Sequence, residues 1–209
     1  MPRLLTLTDD KDKKDYLSSL YSELYVTDIA NALTSIKNEK INATLVSNYI
    51  QHIIDSFLVS RAKRYDIKGK TYFKYPNKYY YTDIGLRNAR LNYRQYDPGH
   101  IMENIIYNEL LRRGYSVDIG VVTDRTNGAN AQKEIDFVVN DADKKIYIQS
   151  AFQMDTDKKE SSELTSLMLT NDFLKKIIVR IDIPHHFYDD NGIFHCNLID
   201  LLLNRVELF

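Results

Sequence analysis

Apolar and polar positions alternate in two neighbouring segments near the middle of the chain, residues 133–139 and 145–151, and this pattern predicts two β-strands. With a period of two, Glu134 and Asp136 lie on one face of the first strand, and Gln149 lies on one face of the second. If the two strands form a hairpin, these three side chains come together. We therefore expect a cluster of oxygen-bearing side chains on one face of a sheet.

The same alternation assigns the remaining positions of the two strands. Ile135 and Phe137 are expected together on the opposite face of the first strand, and Ala151 is expected beside the glutamine on the second. A helix predicted over residues 100–113 precedes the strands and carries Glu103. This helix is placed to add a further carboxylate to the polar cluster.

The rest of the second half of the chain consists of predicted strands separated by predicted helices. Further strands are predicted at 115–122, 176–182 and 195–198, and further helices at 159–171 and around 201–203. Strands that alternate with helices are typical of an α/β sandwich around a mixed sheet. A polar linker at 94–99 precedes this region and marks a domain boundary.

The first half of the chain has helical periodicity up to residue 57. Helices are predicted over 10–28, 29–38 and 43–57, and two strands, 59–65 and 71–81, follow with a glycine-containing turn between them. The third helix has apolar residues at four-residue spacing, namely Leu45, Tyr49, Ile53 and Phe57. Helix, turn, helix and hairpin in this order are typical of a winged helix.

Polar and basic residues of this module are candidates for contact with nucleic acid. The side chains expected to face outward on the third helix suit contacts to phosphates or base edges, and they are Asn42, Thr44, Ser47, Asn48 and Gln51. The hairpin adds a basic strip that includes Arg61, Lys63, Lys68 and Lys70. The same pattern also fits a spacer or a protein-contact module.

Composition narrows the class of protein. The chain has 209 residues, 44% of them hydrophobic and 27% charged, with a formal net charge of −1, which is ordinary for a globular protein. No apolar run approaches the roughly 20 residues that span a bilayer, so no membrane partner is expected. A single cysteine, Cys196, excludes an internal disulfide and favours the reducing cytoplasm.

Several separated motifs, in this order, resemble the C-terminal region of a large prokaryotic family of predicted AAA+-type ATPases. In the first half they are Tyr65-Asp-Ile-Lys-Gly69-Lys and Lys78-Tyr-Tyr-Tyr-Thr-Asp83-Ile-Gly-Leu-Arg87-Asn-Ala. In the second half they are Met102-Glu-Asn104-Ile-Ile-Tyr-Asn-Glu109-Leu, Arg113-Gly-Tyr115, Glu134-Ile-Asp136-Phe-Val and Tyr147-Ile-Gln149. The resemblance covers roughly residues 29–209.

The resemblance implies a fold class and a domain organisation. Proteins of this family carry a P-loop ATPase, then a winged helix, then an α/β domain of the restriction-endonuclease-like PD-(D/E)XK fold with a mixed central sheet. The expected parts are a helical stub at 1–28, a winged-helix module at 29–94 and a degenerate restriction-endonuclease-like domain at 95–209. The chain has no Gly-x-x-x-x-Gly-Lys-[Ser/Thr] motif, so no ATP hydrolysis is expected of it.

The resemblance also places a nuclease site on the polar cluster. Glu103, Asp136 and Gln149 match the acidic positions that hold Mg²⁺ or Mn²⁺ in such nucleases, and Ala151 matches the lysine that orients the attacking water. Glu134 is a further candidate metal ligand beside the two acids. The neutral glutamine and the absent lysine both weaken the site, because they remove charges that hold the ion and steady the phosphate.

Structural roles compete with catalytic ones at these positions. The Glu103 side chain is also expected to pair with Arg87 or Lys133, and Asp136 is equally suited to be a hydrogen-bonded structural carboxylate. A replacement for the absent lysine would have to come from Lys133, Lys144 or Lys145, and adjacent strand positions point Lys133 to the wrong face.

Three functions remain open from the sequence. The first is a non-catalytic nucleic-acid-binding or protein-interaction module of an ATPase-family protein, with DNA or a cognate ATPase as its partner. The second is a nuclease with a degenerate active site that depends on Mg²⁺ or Mn²⁺, and no other cofactor is implied. The third is an oligomerisation domain that self-associates or serves a partner ATPase.

Overall fold

The computed structural model describes residues 30–31, 33–35, 40–73, 76–94, 97–125, 131–154 and 157–209, with the backbone alone at 90 and 157–162. The chain divides into two compact units. The first lies within Met1–Lys63 and Lys74–Asp83, and the second comprises Arg64–Phe73 and Ile84–Phe209. The helix predicted over 10–28 lies outside the described residues.

In its described residues, the first unit contains one long helix and a two-stranded sheet. Helix α1 (Ala43–Asp55) begins after Asn42, whose side-chain oxygen accepts a hydrogen bond from the Thr44 amide at 2.8 Å. This cap satisfies one of the amides that a helix leaves without a partner in its first turn. Strand β1 (Val59–Ala62) pairs antiparallel with β4 (Lys78–Tyr81). The predicted helix from residue 43 and the base of the predicted hairpin are therefore confirmed.

A small apolar core holds this unit together. Val46 of α1 and Ala30 are buried against each other, and the residues packed around them are Leu33, Ile41, Ala43, Ile50 and Tyr79. Residues 30–31 and 33–35 are helical, as predicted for 29–38. The side of α1 that faces this core is the Val46 side, and the four-residue stripe that begins at Leu45 is exposed.

The second unit is a mixed eight-stranded sheet with helices packed against it. In spatial order its strands are β3 (Thr71–Tyr72), β2 (Arg64–Asp66), β5 (Ser116–Asp124), β6 (Ala131–Asp141), β7 (Lys144–Ala151), β8 (Lys175–Arg180), β10 (Phe194–Asn197) and β9 (Phe187–Tyr188). The pairs β2–β5, β7–β8 and β8–β10 are parallel, and the other pairs are antiparallel. The predicted α/β class with a mixed central sheet is confirmed.

Four helices of this unit lie in the described residues, and the last three lie close to those predicted at 100–113, 159–171 and around 201–203. The four are α2 (Ile84–Arg90), α3 (Pro98–Arg112), α4 (Asp157–Met168) and α5 (Leu198–Leu202). Helix α3 contacts β5, β6 and β7, and α4 contacts β6 and β7. Among the described helices, none combines the length and the apolar character that a bilayer crossing requires.

The hairpin predicted in the first half is shared between the two units. Residues 64–73 form β2 and β3, which belong to the large sheet, whereas β1 and β4 at the base of the same hairpin belong to the first unit. The limits of the two units therefore differ from the predicted domain limits of 29–94 and 95–209. Strand β2 joins the large sheet by parallel pairing with β5.

The face assignment along β6 is wrong at one point, because the strand contains a bulge. Asp136 and Phe137 together occupy the place opposite Ile119 of β5, so two residues of one strand face one residue of the other. As a result Ile135 lies in the apolar cluster beneath α4, whereas the Phe137 ring packs against Tyr107 of α3 with 6.1 Å between ring centroids. Ile135 and Phe137 thus do not share a face.

A cluster of ion pairs lies at the C-terminal end of α3. The buried Glu109 carboxylate accepts hydrogen bonds from Arg112 Nε at 2.7 Å and from Arg113 Nε at 2.8 Å. The hydrogen bond from Arg112, followed by that from Arg113, holds the pKa of Glu109 below its ordinary value. A carboxyl with a lowered pKa in the folded state stabilises the fold above its unfolded pKa, and the contribution is lost as the pH falls through the folded pKa.

Replacing Glu109 by glutamine is expected to lower the free energy of unfolding by about 2 kcal/mol near pH 7, because two arginines lose a charged acceptor. The difference from the wild type should shrink as the solution is acidified below the ordinary pKa of glutamate, about 4.3. Urea unfolding at pH 7 and at acid pH measures both effects. The exposed Glu207→Gln is the matched control, and an equal loss in the two variants would contradict this role for Glu109.

Candidate functional site

A cleft of about 540 Å³ lies in the second unit, between the start of α3 and the C-terminal end of β7. Its lining comes from α3 and the residue before it, from β6 and β7, from the segment after β7 and from α4. These residues are Asp97, Pro98, Gly99, His100, Glu103, Asp136, Gln149, Ser150, Ala151, Phe152, Gln153 and Glu163. The predicted positions Glu103, Asp136 and Gln149 are therefore brought together in one cleft.

The backbone of the hairpin explains why polar side chains are buried at this point. The regular pairing of β6 with β7 ends at Phe137 and Ile148, beside the bulge. Beyond it, Gln149 Oε1 accepts a hydrogen bond from the Asp136 amide at 3.2 Å, and Asp136 Oδ2 accepts one from the Ser150 amide at 2.7 Å. Asp136 and Gln149 thus satisfy buried amides that the strand ladder does not, which is a structural role.

Glu134 is not part of this cleft. Its carboxylate lies 3.5 Å from the guanidinium of Arg64 on β2, whose side chain is buried. Arg64 belongs to the basic segment of the hairpin, and its guanidinium faces the half-buried carboxylate of Glu134. Among the described residues, no group of three or more His, Cys, Asp or Glu side chains is arranged to hold a metal ion. Glu103 and Asp136, the other two predicted ligands, line the cleft, and Glu134 does not.

The position that matches the nuclease lysine is part of the core. Ala151 is 5% exposed and belongs to the apolar cluster that includes Met154 and Leu167. None of the three lysines considered as replacements lines the cleft. The ammonium of Lys145 lies 4.9 Å from the centre of the Tyr65 ring, Lys144 begins β7 at its far end, and Lys133 pairs with Val122.

The described lining of the cleft carries four carboxylates, on Asp97, Glu103, Asp136 and Glu163, and neither lysine nor arginine. Its basic side chain is His100, whose Nδ1 lies 2.9 Å from Asp97 Oδ2. Partial burial opposes ionisation of Asp97, but the hydrogen bonds from His100 prevail and hold the pKa of Asp97 below its ordinary value. The cleft is therefore an acidic environment, which repels a phosphodiester unless a cation is present.

The residues predicted to contact nucleic acid lie on both units. In the first unit, Thr44, Asn48 and Gln51 are exposed on α1, Asn42 caps the helix, Ser47 is half-buried, and Arg61 and Lys63 are exposed at β1. Lys68 and Lys70 are exposed in the turn between β2 and β3 of the second unit. Sequence reasoning placed all of them on one module.

The fold is that of an α/β protein with a mixed sheet, and its second unit contains an acidic cleft. No family model matches the chain. The chain is similar to an uncharacterized protein of Haemophilus influenzae, with 38% identity over 151 residues, or 72% of this chain and 35% of that protein. It is also similar to an uncharacterized protein of Methanocaldococcus jannaschii, with 28% identity over 148 residues, or 70% of this chain and 31% of that protein. The chain spans about a third of the length of the curated relatives it matches.

Proposed function

We propose that this chain is a non-catalytic interaction module, in which the second unit is a degenerate restriction-endonuclease-like scaffold and the first unit is a winged helix that contacts a protein partner. The observation that carries the non-catalytic part is the chemistry of the acidic cleft. Its two strand positions, Asp136 and Gln149, are engaged with backbone amides, and its lysine position is the buried Ala151.

Phosphodiester cleavage needs more than this cleft supplies. A metal-dependent nuclease uses its carboxylates to hold the ion that generates hydroxide, and a cation to neutralise charge on the phosphate. The Asp136 carboxylate is partly used by the Ser150 amide, and Gln149 contributes no charge. The described lining has no lysine or arginine to offset the charge of an approaching phosphate, and its histidine, His100, already faces Asp97.

Supercoiled plasmid is incubated with the protein and Mg²⁺ or Mn²⁺. We expect the wild type to nick no more plasmid than Asp136→Asn does. This substitution is the matched control because the asparagine oxygen still accepts the hydrogen bond from Ser150 while the charge is removed. Agarose electrophoresis over a range of protein concentrations makes the comparison. Nicking by the wild type that the variant has lost would refute the non-catalytic function.

The exposed face of α1 favours a protein as the partner. Leu45, Tyr49 and Ile53 are exposed on one flank of the helix, and Phe57 is exposed just beyond the end of the helix. Contiguous apolar surface on a helix is typical of protein interfaces and is a poor match for a phosphate backbone. We also infer, from the resemblance of its motifs alone, that the chain corresponds to the C-terminal region of the AAA+-type family that it resembles.

Nucleic-acid binding is a second candidate, favoured by the exposed polar residues on another flank of α1 and by the cations next to it. Thr44, Asn48 and Gln51 lie on the polar flank, and Arg61 and Lys63 follow the helix. Fluorescence anisotropy with a labelled DNA duplex separates the candidates. Binding that weakens steeply with salt, and weakens further in Arg61→Ala/Lys63→Ala, would support nucleic acid as the ligand.

A further inference from the structure

One flank of α1 exposes several large apolar side chains. The exposed fractions are 47% for Leu45, 61% for Tyr49, 42% for Ile53 and 82% for Phe57, whereas Val46 on the core side is 5% exposed. Residues four apart lie on the same side of a helix, so the first three form a continuous row, which we call the apolar flank together with Phe57. It presents on the order of 500 Å² of apolar surface, which is the size of the largest patch on a typical monomer, and patches of this size are often functional.

The backbone at Phe57 adds an independent indication. Phe57 has a φ of +57°, in the left-handed region, and its amide donates to the Ile54 carbonyl at 2.8 Å while the Leu58 amide donates to Ile53 at 3.3 Å. Glycine is the usual residue at this helix-terminating position, because a side chain there costs free energy. The chain instead has an aromatic ring at this point, and most of the ring faces solvent. A bound partner would give this ring a role.

We propose that the apolar flank binds the same flank of a second copy of the chain, with the two α1 helices antiparallel about a twofold axis near Tyr49. The inference rests on the proposed protein-interaction function and names its partner. In this arrangement Tyr49 meets its own counterpart, and Leu45 of each copy meets Ile53 of the other. A twofold interface requires a surface that complements itself, and this row of three has that property.

The charges of the helix fit the antiparallel arrangement. Within α1, Asp55 is the only residue with a formal charge at neutral pH, and it lies at the C-terminal end of the helix. Antiparallel packing places the Asp55 carboxylate of each copy near the N-terminus of the other helix, where the backbone amides carry partial positive charge. The exposed Lys40 precedes that N-terminus. A parallel arrangement would instead place the two Asp55 carboxylates beside each other.

The area of the apolar flank sets the expected affinity of the dimer. Two flanks would remove roughly 1,000 Å² from water, which is below the area of a standard specific interface. We therefore expect a dimer that dissociates in the micromolar range. Such a dimer forms and dissociates within the concentrations that sedimentation experiments reach.

Analytical ultracentrifugation of the full chain at about 1 to 200 µM is expected to show the mass rising from one chain toward two. Tyr49→Glu places a charge on the twofold axis and is expected to weaken association at least about 30-fold. Because Tyr49 is exposed, the variant should keep the wild-type circular dichroism spectrum. Phe173→Glu, which changes an exposed phenylalanine of the second unit, is the control that should leave association unchanged.

Cysteine cross-linking tests the geometry of the pair. Cys196 is buried, and burial raises the pKa of its thiol to about 12, so it will not compete under mild oxidation. Tyr49→Cys is expected to give a covalent dimer, because the two thiols meet across the axis. Gln51→Cys, exposed on the polar side of α1, is expected to give little.

Any other result of the sedimentation and cross-linking experiments overturns the proposed dimer. A chain that stays monomeric at the highest concentration has no such interface, and a dimer that Tyr49→Glu leaves intact is formed by another surface. A monomer whose unfolding free energy falls in Tyr49→Glu would mean that the flank is covered within the same chain. A cross-link from Tyr49→Cys to a different protein would replace the second copy as partner while leaving the interaction function standing. Plasmid cleavage tests the non-catalytic function separately.

Discussion

Replacing Gln149 by glutamate is expected to lower the free energy of unfolding by about 3 kcal/mol at pH 8 in the absence of divalent metal. Gln149 is 6% exposed, and its Oε1 accepts the Asp136 amide at 3.2 Å. Glutamate has the same shape and can keep this hydrogen bond. It also adds a second negative charge next to the Asp136 carboxylate, which is only 9% exposed. Urea unfolding measured in EDTA gives the loss.

The same variant is expected to regain stability when Mg²⁺ or Mn²⁺ is added, because a divalent cation between the two carboxylates offsets their repulsion. The wild type, with its neutral glutamine, should gain much less. Acidification to about pH 4 should also shrink the loss, because the new carboxyl is then largely protonated. Gln149→Leu is the control: it leaves the Asp136 amide without its acceptor, and its loss should not respond to metal. A glutamate variant as stable as the wild type in EDTA would show that the two side chains do not interact.

Replacing Gly120 by alanine is expected to destabilise the second unit by about 3 kcal/mol, through overpacking of its core. A methyl group at Gly120 would lie 2.9 Å from Ile67 Cδ1, 2.9 Å from Val138 Cγ2 and 3.0 Å from Ile135 Cβ. The first of these atoms ends a side chain, but the other two belong to β-branched residues of β6 that are fully buried and stiff. Relief therefore requires the strand itself to shift. Thermal or urea unfolding measures the loss.

Gly99→Ala is the matched control for this prediction. Gly99 lies in the first turn of α3, and the nearest atom to an added methyl group is Asp97 Oδ1 at 3.4 Å. Alanine has the higher helix propensity, so this variant should be neutral or slightly stabilising. If the two glycine variants lose equal stability, overpacking of the core at Gly120 is not the cause of the loss.

The order of the elements could be read from the sequence because it depends on local periodicity. Helix α1, helix α3 and the β6–β7 hairpin all appear where the pattern predicts them, within a few residues at their ends. The presence of Glu103, Asp136 and Gln149 in one cleft could also be anticipated. Strand alternation brought the last two together, and the helix predicted before the strands was placed to add the first.

The face assignment at Ile135 could not be read in this way. Alternation with a period of two holds only while the ladder is regular, and the bulge at Asp136 and Phe137 shifts it by one residue. The bulge depends on how β6 fits against β5, which no local pattern records. The Arg64–Glu134 pair was missed for a related reason, since it needs β2 to join a sheet whose other strands lie far along the chain.

The buried side of α1 was equally undecided by its own sequence. Apolar residues cover more than half of its circumference, with Val46 and Ile50 on one side and Leu45, Tyr49 and Ile53 on another. A helix can bury only the sector that meets its neighbours, and here Ala30 and Tyr79 meet the Val46 side. The rest of the apolar surface is left exposed as the apolar flank.

By itself, the amino-acid sequence determined the α/β class, the succession of helices and strands, and the neutral residues Gln149 and Ala151 at two positions of the nuclease pattern, because these follow from residue identity and local spacing. The tertiary structure alone decided that Asp136 and Gln149 hold the backbone of the hairpin, that Glu134 faces Arg64, and that one flank of α1 stays exposed. The physical reason is that hydrogen-bond partners and burial depend on which distant segments pack together, and local periodicity carries no information about that.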